Sequence, residues 1–277
     1  MPAAIQRSVL RIERTLWTLW YRRGKPSTWE DDFPWSSPNV WQRVVAFYGT
    51  RSRPVLFEYG TGISSLHHIR NLLNSSGVYV GVEHEPEWYF TVIQQILSYC
   101  IRHRLGVDGQ ITSPRPNCSP DREGCSLDSV FEVSSRQGPR CTVKLKLRRG
   151  YPRTDSGDRA LEDFSEYVNA VDEPGDVVIV DGKARKACIN HILDKNLVKP
   201  GGMCVLFEAW RGTENWMAEA QLTGSADYQP EVQRMLNLGG ELVDGVGLDR
   251  WPGLRFRRTI GRTAFWYPLE ACFLTIK

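Results

Sequence analysis

The chain has 277 residues, enough for one large domain or a domain with appendages. It is 41% hydrophobic and 24% charged, the balance of a soluble globular protein. A net charge of +3 is too small to call for nucleic acid, so no nucleic-acid partner is expected. No run of about 18 apolar residues occurs, so no membrane span is expected either.

Residues 4–23 read as an amphipathic helix, with Ile5, Val9, Ile12, Leu16 and Leu19 at helical spacing. It suits packing on the domain, on a second copy of the chain or on another partner; a membrane-surface helix is the alternative. Arg7, Arg11, Glu13 and Arg14 interrupt any signal-peptide core, and the seven cysteines are odd in number and scattered. Both observations point to the cytoplasm. Trp29 to Trp41, with Pro26, Pro34 and Pro38, reads as a lid or access segment before a helix over 38–48. Residues 1–50 are thus an N-terminal helix and a Trp/Pro-rich segment, and 51–277 the main domain.

The main domain alternates strands and helices. Strand 55–59 leads to helix 63–74, and strand 78–83 to helix 86–103. Residues 106–140 contain Pro114, Pro116, Pro120 and Pro139 and read as a long loop. Residues 141–148 alternate and read as a strand with a basic face. Then come helix 158–171, the apolar strand 176–180, helix 184–195, strand 203–208, helix 229–238, strand 240–246 and a closing strand 271–276. This order predicts an α/β, Rossmann-like fold: a seven-stranded, mostly parallel sheet with helices on both faces and an antiparallel last strand.

Three motifs sit where strands end. Glu58-Tyr59-Gly60-Thr61-Gly62-Ile63-Ser64 follows the run Val55-Leu56-Phe57. Glycines allow a sharp turn and close approach of a ligand, and the next helix aims its free N–H groups there. Strand 78–83 ends in Glu83, about twenty residues on, where a ribose diol would be held. Ser65 stands where a dinucleotide fingerprint has its third glycine, which disfavours a pyrophosphate ligand. Asp181-Gly182-Lys183-Ala184-Arg185 closes the fourth core strand; Lys199-Pro200-Gly201-Gly202 precedes the fifth and Glu208-Ala209-Trp210-Arg211 follows it.

With the E-x-G-x-G turn and Glu83 the chain resembles the class I S-adenosylmethionine-dependent methyltransferases. The stretch from Tyr167 to Arg211 is similar to members with D-G-R/K-x-R after strand four and K-P-G-G before strand five. The likeness spans roughly 55–277, without the segment 106–140. It implies S-adenosylmethionine as cofactor, held by Glu58, Gly60, Gly62, Ser64 and Glu83. An N/D-P-P-Y/F motif, common in methylation of base amines, is absent at Asp181. O-methylation needs a base or a cation at the acceptor hydroxyl. Asp181 is the first candidate base and His84 the second; Lys183, Arg185, Glu208, Trp210 and Arg255 are candidate acceptor contacts. Metal-dependent relatives hold magnesium with an acid and an Asp-Asn pair, but Ala209 stands where the Asn would be, so no metal is expected.

Two basic stretches, Lys144 to Arg153 and Arg250 to Arg262, the second interleaved with Trp251 and Phe256, suit an anionic or sugar acceptor. The resulting expectation is a methyltransferase acting on an oxygen of a sugar, polyol or other anionic small molecule or glycan. N-methylation of a small molecule or protein, and a non-catalytic binding module of the same fold, are the alternatives.

Overall fold

The computed structural model describes residues 38–112, 126–135, 138–148, 151–152, 162–207, 229–246 and 260–266. The expected helix 4–23 and strand 271–276 lie outside them. In chain order the elements are α1 (Pro38–Gly49), β1 (Val55–Tyr59), α2 (Ile63–Asn74), β2 (Val78–Glu83), α3 (Pro86–Arg102), β3 (Gly106–Gln110), β4 (Leu127–Ser134) and β5 (Arg140–Leu147). They continue with β6 (Tyr151–Pro152), β7 (Glu162–Asp163), α4 (Ser165–Val168), β8 (Gly175–Val180), α5 (Arg185–Asp194), β9 (Val198–Leu206), α6 (Gln229–Asn237), β10 (Glu241–Val246) and β11 (Ile260–Trp266).

β1 lies at the centre because both its faces are apolar. It pairs in parallel with β2 on one side and β8 on the other. Successive side chains of a strand point to opposite faces. Leu56 therefore enters one core with Tyr79, Val143, Val177 and Val205, while Phe57 and Tyr59 enter the other with Val80, Val82, Val178 and Val180. Helices α1, α2 and α3 cover the first face and α4, α5 and α6 the second, supplying buried Val44, Leu66 and Ile96 to one and Tyr167, Ile189 and Met235 to the other. Each such apolar side chain contributes about 1.5–3 kcal/mol on burial. The core thus begins with α1, ahead of residue 51.

The sheet order is β10-β11-β9-β8-β1-β2-β5-β4-β3. The seven strands from β10 to β5 form the expected mostly parallel sheet. Its antiparallel member is β11, inserted between β9 and β10. The chain passes from β1 to β2, then to β3 at the far edge and back inward through β4 to β5, and only then returns to β8 on the other side of β1. That reversal opens a crevice beyond the carboxyl ends of β1 and β8.

Two expectations are corrected. Part of the segment read as a loop over 106–140 is strand: β3 and β4 add an antiparallel hairpin beyond β5, making nine strands. β4 alternates, with Ser129, Phe131 and Val133 buried and Asp128 and Val130 exposed. β3, of sequence GVDGQ, is exposed throughout and has no apolar period to read. Of the helix expected over 158–171, the described residues from 162 on form a single turn, α4, and Glu162–Asp163 pairs with Tyr151–Pro152 instead.

Candidate active site

The turn after β1 and the turn after β8 touch backbone to backbone. Gly60 has φ +86°, and a Cβ there would lie 2.4 Å from Gly182 Cα. A Cβ on Gly182 would lie 2.0 Å from Tyr167 Oη and 2.8 Å from Gly60 N. Only glycine fits at either position. Gly62 differs: its φ is −178°, and the nearest atom to an added Cβ is Trp88 Nε1 at 3.7 Å. The protein's own packing does not demand glycine there. Between the two, the Thr61 carbonyl accepts a hydrogen bond from Trp88 Nε1 of α3.

Glu83 ties this turn to β2. It is 2% exposed. Its Oε2 accepts from Thr61 N at 3.1 Å and Thr61 Oγ1 at 3.0 Å. Its Oε1 accepts from His84 N at 2.8 Å and Glu85 N at 2.9 Å. A carboxylate has about four acceptor positions, so this one is filled. Three of the donors are main-chain N–H groups; Thr61 Oγ1 is the donor that can turn away. His84 Nδ1 lies 2.8 Å from Glu83 Oε1, off the hydrogen-bond direction.

Glu58, expected to help hold the cofactor, points into the protein and is 1% exposed. Ser64 Oγ donates to its Oε1 at 2.6 Å and Ser65 Oγ to its Oε2 at 2.8 Å. The Tyr79 hydroxyl reaches Glu58 Oε2 and, at 2.7 Å, Ser65 Oγ. Ser65 Oγ also accepts from Gly62 N at 2.9 Å. The serine in the third-glycine position therefore links the buried acid to the turn. Burial pushes the Glu58 carboxyl up to about 7; the three hydroxyls pull it down and Asp181 pushes it further up. His68 Nε2 is 4.0 Å from Glu58 Oε1, but burial lowers the imidazole to about 3, and the pair is not ionic.

Asp181 stands at the carboxyl end of β8 with its side chain 40% exposed. Arg185 is turned back onto the same turn: Nη2 donates to Asp181 Oδ1 at 3.1 Å and Asp181 O at 2.9 Å, Nε to Gly182 O at 3.0 Å and Nη1 to Phe207 O at 3.0 Å. Arg185 thus stitches the ends of β8 and β9, a different task from the acceptor contact expected of it. Ala184, between Lys183 and Arg185, is left-handed at φ 50° and ψ 31°, a conformation that costs a non-glycine residue on the order of 1–3 kcal/mol. Lys183 is exposed. Beneath Gly182, Tyr167 is fully buried and its hydroxyl has no hydrogen-bond partner. Its ring centroid is 5.5 Å from that of Tyr59, 5.9 Å from that of His84 and 6.0 Å from that of Phe164.

The structure thus assembles Glu58, Gly60, Gly62, Ser64 and Glu83 into one turn and sets Asp181, Lys183 and Arg185 on the turn that abuts it, with His84 at the end of β2. Glu208, Trp210 and Arg255 lie outside the described residues. Thr61, Ser65, Tyr79, Trp88 and Tyr167 were not picked out as site residues from the sequence. A hydroxyl at the third-glycine position was the visible signal for Ser65; the others depend on tertiary contacts. The basic strand face is already paired: Lys146 Nζ donates to Ala170 O at 2.6 Å, Lys144 is 3.9 Å from Glu173, and Arg148 is 2.7 Å from Asp128. Among the described residues no cluster of three or more His, Cys, Asp or Glu could hold a metal ion, and no helix is long and apolar enough to cross a membrane.

No family model and no curated protein matches the chain. Solved structures of similar shape include the O-methyltransferase TomG of Streptomyces achromogenes, involved in tomaymycin synthesis and solved with S-adenosylmethionine. It is 14% identical with a TM-score of 0.46, over 84% of this chain and 81% of that one. An O-methyltransferase of Bacillus cereus with S-adenosylhomocysteine is 14% identical with a TM-score of 0.44, over 88% and 90% of the two chains. The Podospora anserina methyltransferase PaMTH1, also with S-adenosylhomocysteine, is 12% identical with a TM-score of 0.44, over 96% and 97%. At such distances the likeness carries no argument about the site, whose chemistry rests on its own residues.

Proposed function

We propose that this protein is an S-adenosylmethionine-dependent methyltransferase acting on a hydroxyl group. One observation carries the reading: the glycine turn after β1 is locked to the buried acid ending β2, at the point where the strand order reverses. The residues suit the cofactor. Thr61 Oγ1 can swing away from Glu83, so that the carboxylate accepts from a ribose hydroxyl in its place, while Thr61 Oγ1 donates to that hydroxyl's oxygen. Gly62 leaves room for a ligand that the protein itself does not fill. Ser65, in place of a third glycine, suits a nucleoside without a pyrophosphate.

When bound, the cofactor supplies its methyl group: the acceptor oxygen bonds the carbon, the S–CH3 bond breaks with its electron pair left on sulfur, and the hydroxyl proton goes to a base. We assign that base to Asp181, with His84 the alternative. Asp181 is presented to the crevice on a strained turn, and Arg185 holds it from behind. Arg185 is a positioning residue in this account, and Lys183 is left for the acceptor.

For the acceptor we propose a sugar or polyol. Support comes from the sequence, where arginines and aromatics interleave between Arg250 and Tyr267. Asp181→Asn keeps the shape and removes the base. It should cut methyl transfer by about 10²–10⁴-fold with cofactor affinity unchanged. Labelled methyl transfer across a panel of sugars, polyols, phenols and amines tests the class. Transfer to amines alone would favour the N-methyltransferase reading, and turnover surviving Asp181→Asn within a few-fold would move the base to His84.

A further inference from the structure

Glu58 is the buried charge of this site that the reaction does not use. Among the described residues the groups that face it are Tyr48 from α1, Ser64, Ser65 and His68 from α2, Tyr79 from β2 and Asp181 beyond β8. None of these carries a positive charge, since His68 is held neutral. A carboxylate closed off from water without a cation is costly, and such a group takes up a proton instead. Yet three hydroxyls stand within hydrogen-bond distance of it, ready to donate to an ionised acid. Two arrangements follow. With Glu58 ionised, Ser64, Ser65 and Tyr79 can all donate to it. With Glu58 protonated, its own O–H must donate, and one hydroxyl has to turn around. Ser65 carries the difference to the binding turn, because its oxygen accepts from Gly62 N.

We propose that Glu58 is a positioning residue which holds a proton in the empty protein and releases it when the cofactor's ammonium group arrives beside the turn. The proton leaves for the buffer, the carboxylate charge stays to meet the incoming cation, and the hydroxyl network closes on its three-donor form. The acid then sets Gly62 through Ser65 without touching the cofactor. This rests on the cofactor reading above.

The test is calorimetric titration with S-adenosylhomocysteine, which carries the ammonium group, in buffers of different ionisation enthalpy from pH 5.5 to 8.5. Near pH 6 the wild type should release close to one proton per molecule bound, falling towards zero by pH 8.5. Affinity should rise about tenfold per pH unit below 7 and then level off. Glu58→Gln should bind without that proton release or that slope. Tyr79→Phe removes a donor that favours the ionised acid, so its affinity profile should shift to higher pH; this arm stands if Glu58→Gln does not fold. Binding with no proton release in the wild type, or with equal release in Glu58→Gln, overturns the proposal alone. An unshifted profile in Tyr79→Phe does the same. No binding at any pH overturns the cofactor reading and this proposal with it.

Discussion

At Gly182 three demands meet in one place: a backbone contact with Gly60, the buried hydroxyl of Tyr167 and the start of a left-handed turn at Ala184. Alanine at Gly182 adds a methyl group where there is no room, and overpacking of this kind costs about 1–3 kcal/mol. Tyr167→Phe deletes the oxygen 2.0 Å from that methyl group. The single change Tyr167→Phe should itself raise the melting temperature, since it removes an unpaired buried hydroxyl that costs about 1–3 kcal/mol. Combined with Gly182→Ala it should recover part, not all, of the loss, because the Gly60 backbone still stands 2.8 Å away. Denaturant unfolding of the two single variants and the double variant checks this; strictly additive effects would show that the tyrosine oxygen is not what excludes the methyl group. The sequence announced Gly60, Gly182 and Glu83 through motif spacing. It could not announce Tyr167 or Tyr79, which reach the site through Gly182 and Glu58, 15 and 21 residues away.

Among the elements, the central strands are held at both ends. The carboxyl ends meet at the site. At the amino ends Asp176 of β8 accepts from Val55 N at 2.9 Å and Lys199 Nζ at 2.9 Å, with Arg51 Nη1 at 3.3 Å. Burial pushes its carboxyl up, but the Lys199 hydrogen bond, the Val55 N–H and the charges of Lys199 and Arg51 outweigh it and hold the group below the ordinary aspartate range. The depressed value means that the stabilisation is present above the unfolded value of 3.8 and is lost as pH falls through the lower folded value. Asp176→Asn should therefore destabilise the protein by about 1–3 kcal/mol near pH 7. The gap from wild type should close below pH 3.8; a gap that stays constant with pH would mean the carboxylate charge is immaterial. The central strands were legible because each is an apolar run between turn residues. β3 was not, being polar and wholly exposed, and the alternation of β4 was masked by the prolines before it. A helical pattern ahead of Tyr167 yielded to a short ribbon, an outcome set by pairing between Tyr151–Pro152 and Glu162–Asp163.

Across the whole molecule, the chain leaves β1 towards β2 on one side and reaches β8 on the other, and Gly60, Gly62, Glu83 and Asp181 gather beside that divide. α/β sheets bind ligands at such points because the loops on either side diverge there. The hairpin β3–β4 extends the sheet at the far edge from β10 and leaves the crevice untouched. The fold and the glycine turn that abuts Glu83 could thus be read from local signals. The bonds that Glu58 and Arg185 make within the protein could not, because Tyr79 and Phe207 reach them from other parts of the chain. The central claim is that this turn binds the adenosyl cofactor. Calorimetry with S-adenosylhomocysteine on the wild type and on Gly62→Val tests it most directly, because the nearest atom to a Cβ at Gly62 is 3.7 Å away and the fold should survive. One-to-one binding to the wild type, lost in a Gly62→Val protein of similar melting temperature, is the predicted result. A wild type that does not bind, or a Gly62→Val variant that binds equally well, would contradict it.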